Sequence, residues 1–321
     1  MKILEIGQEQ EAGFEELAMS YGTVFNTVAW TRLFGDSIRR YGIYNRGDEL
    51  VGGFVVYKER KFGLSVYRDP PFTQAIGPFL RVDAENPVSV LSMWKRVLSL
   101  MADFLEKLPY SIVSISLNRD IADMQPFIWR KFKVVPSFTY LLDLSASLDD
   151  IVKGMSGERR KNISKGLKDG LVVRQTTDMK EIKALAMMTF GRQGRQIDEG
   201  SLDRILFEYA SSDNSFAFST FNGSNPIACS FCIRDRNAAY YLIGGYNEGD
   251  KHHGAGAMAM LEAIKYAKNA GLRYFDFEGS MIPEVEIYFR GFGGRLATVY
   301  RINKAKLPLE IMLKFFKREL F

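Results

Sequence analysis

The pattern of apolar and polar residues predicts a helix followed by a strand in the first half of the chain. Apolar residues recur every three or four positions over 87–108, which is the spacing of an amphipathic helix with a proline in its first turn. Apolar and small polar residues then alternate over 112–117, as they do in a half-buried strand. The first half therefore contains a helix-then-strand unit.

The second half repeats this unit. The pattern predicts a helix over 254–270 and a strand over 274–277, and a shift of 160 residues, the separation of Phe132 and Phe292, aligns the two units without a gap. The same shift pairs two further identical residues: Arg130 with Arg290 and Tyr140 with Tyr300. Matching elements and identities together indicate duplication of one α/β unit.

Strand-like runs precede each of these helices, at 50–57 and 64–67 in the first half and at 216–221, 227–233 and 238–243 in the second. Residues 148–213 read as mostly helical, and a last helix is predicted over 306–320. We therefore predict an α/β (α+β) fold of two tandem halves, each a mixed, mainly antiparallel sheet flanked by helices. The expected domains are 1–145 and 146–321.

Composition agrees with a globular protein of about two domains, since 46% of the 321 residues are hydrophobic and 25% are charged. The formal net charge of +5 favours anionic partners, although a basic surface that is simply solvated is the alternative. Two cysteines cannot form a disulfide framework, and charges at the start of the chain do not fit a secretory signal, so we expect a cytoplasmic protein.

No apolar run in the sequence approaches the ~18 residues of a membrane-spanning helix, so any membrane contact would be peripheral. The amphipathic segment 307–321 is the candidate for such a contact. The alternative is that it packs on its own domain, as surface helices do.

A glycine-containing turn before the second helix is the best candidate for binding an anion. Helix N-termini present unpaired N–H groups, and small residues let the backbone approach a phosphate closely. The alternative is a structural turn without a ligand. The candidate residues for binding this anion are Ile243, Gly244, Lys251, His252, His253, Gly254, Ala255, Gly256 and Ala257.

The equivalent loop of the first half, residues 81–87, provides an internal comparison. It contains no glycine and carries Asp83 and Glu85, whose charges repel phosphate. The asymmetry predicts that only the second half binds the anion and that the first half is degenerate.

Residues 251–256 resemble the pyrophosphate loop of GNAT acyltransferases, which reads Gln/Arg-x-x-Gly-x-Gly/Ala, with a lysine here in the basic first position. Residues 159–166 and the aromatic-basic stretch 287–294 resemble the Fem-type aminoacyltransferases that form peptidoglycan bridges. The resemblance spans most of the chain. It implies two GNAT-like halves and transfer of an activated acyl group, from acyl-CoA in GNAT enzymes or from aminoacyl-tRNA in the bridge-forming members.

The resemblance also suggests catalytic residues. Glu278, at the end of the second strand, is placed to deprotonate the acceptor amine, and Tyr288 stands near the position where many GNAT enzymes carry the acid for the leaving group. A surface carboxylate and a core aromatic are the respective alternatives. Transfer would be direct, without a covalent intermediate.

Basic side chains on the predicted helices are candidates for binding the phosphates of a substrate, with a solvated helix face as the alternative. The residues chosen are Arg160, Lys161 and Arg290. No metal centre is expected, because His252 and His253 are the only histidines and adjacent helix positions do not share a face.

The sequence therefore favours an N-acyltransferase that moves an acyl group from acyl-CoA to an amine of a small-molecule, sugar or peptide acceptor. One alternative is an aminoacyl-tRNA-dependent transferase acting on a peptidoglycan precursor. A second, of another class, is a non-catalytic binding or scaffold module.

Overall fold

The computed structural model describes residues 1–192, 194, 196–279 and 281–321. The chain divides into two compact units. Unit 1 comprises Met1–Ser137 together with Thr298–Phe321, and unit 2 comprises Phe138–Ala297.

The elements of the first half, in chain order, are β1 (Lys2–Glu5), α1 (Glu11–Tyr21), α2 (Val28–Arg32), β2 (Ile38–Tyr44), β3 (Leu50–Lys61), β4 (Leu64–Arg68), β5 (Phe79–Leu80), α3 (Pro87–Lys107), β6 (Ile112–Ser116), α4 (Gln125–Trp129) and β7 (Lys133–Asp143). The predicted helix over 87–108 and strand over 112–117 correspond to α3 and β6 and are confirmed.

The second half continues with α5 (Leu148–Gly154), α6 (Gly157–Lys168), β8 (Val172–Thr176), α7 (Met179–Arg192), α8 (Glu199–Asp203), β9 (Ser215–Asn222), β10 (Asn225–Arg234), β11 (Ala238–Tyr246), α9 (Ala255–Asn269), β12 (Tyr274–Asp276), α10 (Pro283–Arg290), β13 (Arg295–Ala305) and α11 (Leu307–Phe316). A π-helical turn, Arg204–Tyr209, follows α8. The sequence pattern predicts mostly helix over 148–213 and so misses the strand β8.

The two units have the same pattern of strand pairing. In unit 1, β2, β3 and β4 pair antiparallel in that order, and β4 pairs parallel with β6. In unit 2, β8, β9, β10 and β11 pair antiparallel in order, and β11 pairs parallel with β12. Each unit is thus a mixed, mainly antiparallel sheet with helices, which confirms the predicted fold class.

The last strand of each half pairs with the sheet of the other half. Strand β7 follows α4 along the chain, but its residues 141–143 pair with β12 in unit 2. Strand β13 follows α10, but its residues 301–305 pair with β6 in unit 1. The division into units therefore differs from the predicted boundary at 145/146, because the end of β7 lies in unit 2 and residues 298–321 lie in unit 1.

The core of unit 2 is built around α9. Nine residues of this helix are buried, and they pack with aromatic residues of β12 and of the segment after α10, including Phe275, Phe277 and Phe292. This packing fixes the start of α9 next to β11 and β12. Within the described ranges, no helix combines the length and the apolar character needed to cross a membrane.

Candidate functional site

A cavity of about 780 Å³ opens in unit 2 where two parallel strands separate. Strands β11 and β12 pair from Ala238↔Tyr274 to Tyr240↔Asp276, where β12 ends and β11 continues. There β11 contains a bulge, since its register with β10 passes from Ile243 directly to Tyr241 and makes Leu242 the extra residue. The crevice beyond the carboxyl ends of parallel strands is where open α/β sheets bind ligands.

The start of α9 forms one wall of this cavity. Its N-cap, Gly254, has no side chain to cap the helix, and the N–H groups of Gly254 and Ala255 are bound by the Nδ1 and the carbonyl oxygen of His252, at 2.9 and 3.1 Å. Within the part of the chain that the structure describes, the N–H groups of Gly256 and Ala257 have no acceptor. Both residues line the cavity, so the positive end of the helix dipole faces it.

His252 supports the loop through both of its ring nitrogens. Because Nδ1 accepts from the Gly254 N–H, the ring proton is on Nε2, which donates to Asp169 at 2.9 Å. Hydrogen bonds from Lys165 and His252 lower the pKa of the Asp169 carboxyl, which keeps it an anion. His252 lines the cavity but uses its nitrogens to fix the shape of the loop.

The two glycines of the loop have different roles. A Cβ added to Gly254 would lie 2.4 Å from the carbonyl oxygen of Asn162 and 3.1 Å from the backbone of Gly166, because α6 crosses there in close contact. Gly256 faces the cavity instead. Gly254, Ala255 and Ile243, which the sequence placed at the donor site, are buried behind the cavity wall.

Glu278 lines the cavity at the end of β12, in a turn that a buried carboxylate holds in place. The Oδ1 atom of Asp276 accepts from the N–H of Glu278 at 2.9 Å and from the hydroxyl of Thr139 at 2.5 Å. Glu278 adopts a left-handed φ of 60°, and Gly279 one of 66°. A Cβ on Gly279 would lie 2.1 Å from the Phe138 carbonyl oxygen, so the turn requires glycine there.

Tyr288 projects from α10 toward the start of α9. Its hydroxyl would lie 3.2 Å from a Cβ added to Gly256, and its ring packs edge-on against Phe292 at 5.3 Å. Burial raises the pKa of Tyr288 to about 12, against the opposing effect of Arg159. The hydroxyl is therefore protonated at neutral pH and can donate a proton to a leaving group.

Arg159 is a cavity residue that was not selected from the sequence. It is 6% exposed, its guanidinium lies 4.5 Å from the centre of the Tyr288 ring, and its Nε is buried without a partner among the described residues. Glu158 approaches its guanidinium at 3.4 Å. The helical spacing of Arg159, Ile163 and Gly166, the buried residues of α6, is the signal that could have separated it from its exposed neighbours.

The remaining predicted residues lie outside the cavity. Arg160 donates to the carbonyl oxygens of Lys153 and Met155, at 2.6 and 2.9 Å, and so closes the end of α5. Lys161 is exposed on α6, and Arg290 is exposed and pairs with Glu286 at 2.9 Å. By contrast, the cavity brings together eight of the predicted residues: Gly244, Lys251, His252, His253, Gly256, Ala257, Glu278 and Tyr288.

Residues 159–288 match the family of the acetyltransferase (GNAT) domain. The fold is similar to that of FemX, with a TM-score of 0.69 and 13% identity, covering 98% of this chain and 100% of that one. A tandem GNAT protein from the clavulanic acid biosynthesis pathway gives a TM-score of 0.55 at 10% identity, covering 95% and 98%. The L-PGS of Bacillus licheniformis gives 0.55 at 12% identity, covering 98% of each chain. No curated protein sequence matches.

These similarities confirm the predicted tandem GNAT-like fold and its resemblance to Fem-type proteins. The family match covers α6 to α10 and so contains every residue that lines the cavity except Glu158 and Phe289. The cavity therefore lies almost wholly within the region that is similar to the GNAT domain.

Proposed function

We propose that unit 2 is an N-acyltransferase that moves an acyl group from acyl-CoA to an amine of a small-molecule, sugar or peptide acceptor. One observation carries the proposal: the open start of α9, the Tyr288 hydroxyl and Glu278 face the same cavity. An anion site, a protonated acid and a carboxylate are the groups that acyl transfer from a phosphate-bearing donor needs.

The donor would be held at the start of α9. The N–H groups of Gly256 and Ala257 can donate to phosphate oxygens, and Lys251 supplies a cation beside them. A cavity of about 780 Å³ is of the size that holds an elongated small molecule. Both this donor and the alternative below occur in the cytoplasm, where we place the reaction.

The proposed chemistry is a direct transfer. The acceptor nitrogen attacks the thioester carbonyl, and Glu278 takes its proton, directly or through a water. The backbone at the Leu242 bulge polarises the carbonyl. As the C–N bond forms and the C–S bond breaks, Tyr288 donates its proton to the departing sulfur, and it recovers one from solvent afterwards.

An aminoacyl ester of tRNA is the second candidate donor, with a peptidoglycan precursor as acceptor. The similarity to FemX over nearly the whole chain favours it, as do the exposed lysines Lys161 and Lys168 on α6, which present cations suited to a nucleic acid backbone. The same acid and base would serve, with a ribose oxygen as the leaving atom.

Calorimetric titration of the protein with acetyl-CoA tests the proposal. We expect binding by the unaltered protein and at least about tenfold weaker binding by Gly256→Val, because the added methyl groups meet the Tyr288 hydroxyl. Gly191→Val is the matched control, since Gly191 is also helical and has nothing within 4 Å of its Cβ position.

The outcomes separate the candidates. Binding and turnover of aminoacyl-tRNA, without acetyl-CoA binding, would replace the CoA proposal by the second one. Failure to bind either donor, in a protein with a normal unfolding transition, would favour the scaffold class. Equal binding by Gly256→Val and Gly191→Val would remove the start of α9 from the donor site.

A further inference from the structure

Helix α11 has an apolar face that nothing in the described chain covers, and no residue of the helix is buried. Leu307, Ile311 and Phe315 follow one another at a spacing of four, which places them on one ridge, and Met312 and Phe316 form the next. Their exposed fractions are 72, 52, 81, 48 and 78%, in that order. The half-buried Leu309 and Leu313 are turned inward, so α11 contacts its own domain through them while this apolar face stays exposed.

A second exposed aromatic residue stands at the same end of unit 1. Phe62, at the tip of the β3–β4 hairpin, is 93% exposed and has a left-handed φ of 51°. The N–H of Ser111 donates to the Ser65 carbonyl at 2.8 Å, and the N–H of Lys306 donates to the Ser111 carbonyl at 3.0 Å. The start of β4 next to the hairpin tip, the start of β6 and the start of α11 are thus neighbours.

Basic residues surround both aromatic elements. Three nearby carboxylates are neutralised by ion pairs: Glu59 with Arg68 at 2.8 Å, Glu310 with Lys314 at 2.9 Å, and Glu106 with Lys304. Positive charge therefore predominates at this end of the unit. The cations on or beside the hairpin tip, the end of α3 and α11 are Arg60, Lys61, Lys107, Lys306, Lys317 and Arg318, and they outnumber the one further carboxylate side chain beside them, Glu319.

We propose that this end of unit 1, defined by Phe62 and the apolar face of α11, binds the surface of a membrane that contains anionic lipid. Helices that lie in the membrane interface without spanning it combine phenylalanine and leucine on one face with lysine and arginine beside them, as α11 does. Cations near the surface add attraction to anionic headgroups. A second copy of the chain is disfavoured as the occupant, because two such faces would bring like charges together.

Co-sedimentation of the 321-residue protein with vesicles tests this proposal without any donor or acceptor, so it stands or falls separately from the transferase proposal. The vesicles are phosphatidylcholine alone or with about 30% phosphatidylglycerol, the range in which surface potential becomes appreciable. We expect binding to the anionic vesicles, weakened as salt shortens the screening length.

Variants identify the surface. Phe315→Ser with Phe316→Ser should reduce partitioning onto anionic vesicles by roughly tenfold or more, and Phe62→Ser by several-fold, since buried apolar area sets binding strength. Val88→Ser with Leu91→Ser is the matched control: both are exposed apolar residues of unit 1, toward the opposite end of α3. Circular dichroism should show an intact fold in each.

Three results would overturn the proposal. They are equal binding to zwitterionic and anionic vesicles, no loss of binding in the Phe315 and Phe316 double variant, and loss of binding in the control variant. Light scattering that shows a dimer in the unaltered protein and a monomer in the double variant would instead assign the face to a second copy of the chain.

Discussion

The starts of α3 and α9 occupy equivalent places in the two halves but treat their unpaired N–H groups differently. At α3, the side chain of Asn86 accepts from the N–H groups of Val88 and Ser89, at 2.9 and 3.4 Å, and the proline at the first position has no N–H. At α9, the capping residue is Gly254, and the next N–H groups of the helix face a cavity.

The loop before α3 is closed in a second way. Arg81, the one cation in that loop, is held by Glu49 and by Asp83, the latter at 3.2 Å, so its charge is already neutralised. The cap occupies the free N–H groups of α3 and the ion pairs neutralise the nearby cation, so this helix start has no free groups with which to bind a phosphate. The two copies thus share an architecture, but among the described residues α9 begins with open N–H donors and α3 does not.

The largest effect is expected at the contact between α6 and α9. Gly254→Val should lower the free energy of unfolding by about 3 kcal/mol, because its Cβ meets the backbone oxygen of Asn162, which cannot move without shifting α6. Urea denaturation measures the loss. Gly191→Val, in open space, should lose far less, and an equal loss in both would show that close helix packing does not explain this glycine.

The acid assigned to α10 gives the second prediction. Tyr288→Phe should reduce kcat about 100-fold with an unchanged melting temperature, since only the donated proton is lost. Its partner in the first half at the same shift, Ile128, is half exposed and has no such group. Tyr266→Phe is the control, because that ring packs on Phe216 outside the cavity. A Tyr288→Phe enzyme of full kcat would assign Tyr288 to packing alone.

The third prediction concerns how Tyr288 makes the free energy of unfolding depend on alkaline pH. Burial raises the pKa of Tyr288 to about 12, above the unfolded value near 10, so the folded state favours the neutral phenol. This contribution to the free energy of unfolding is fully present below pH 10 and is lost as pH rises from 10 to 12, by about 3 kcal/mol at most. The unfolding free energy of Tyr288→Phe should fall less over that interval, and parallel curves would contradict the assignment.

Two adjacent arginines should separate binding from packing. Arg159→Met should weaken donor binding about tenfold with little change in stability, because methionine can fill the buried space while removing the cation over Tyr288. Arg160→Met should instead lower stability by about 1 kcal/mol and leave binding unchanged, since Arg160 bonds the last carbonyls of α5. Calorimetry and urea denaturation of both variants provide the test, and the reverse result would exclude Arg159 from the site.

The smallest effect is expected at the closed helix start. Asn86→Ala should cost about 1 kcal/mol of stability, the usual value of an N-cap. It should produce no binding of pyrophosphate, because Asp83 and Glu85 remain and Arg81 stays paired. Pyrophosphate binding by this variant would show that the cap alone distinguishes the two halves.

The sequence predicted α3, β6, α9 and β12, because helical periodicity and strand alternation are local signals, and the register of Phe132 with Phe292 indicated the duplication, but the strand β8 was missed. The sequence could not show that Gly254 packs against α6 while Gly256 lines the cavity, because tertiary packing decides which side of α9 faces α6. The same limit hid Arg159 among exposed lysines and arginines. It also hid the exchange of β7 and β13, because a repeat along the chain does not state which strands pair.

That exchange has a consequence for how the chain is made. Strand β6 emerges from the ribosome well before its partner β13, so this edge of the first sheet stays unpaired until β13 has been synthesised. Pairings so distant in sequence slow folding. A fragment ending after residue 145 would lack β13 and would leave β6 without its antiparallel partner.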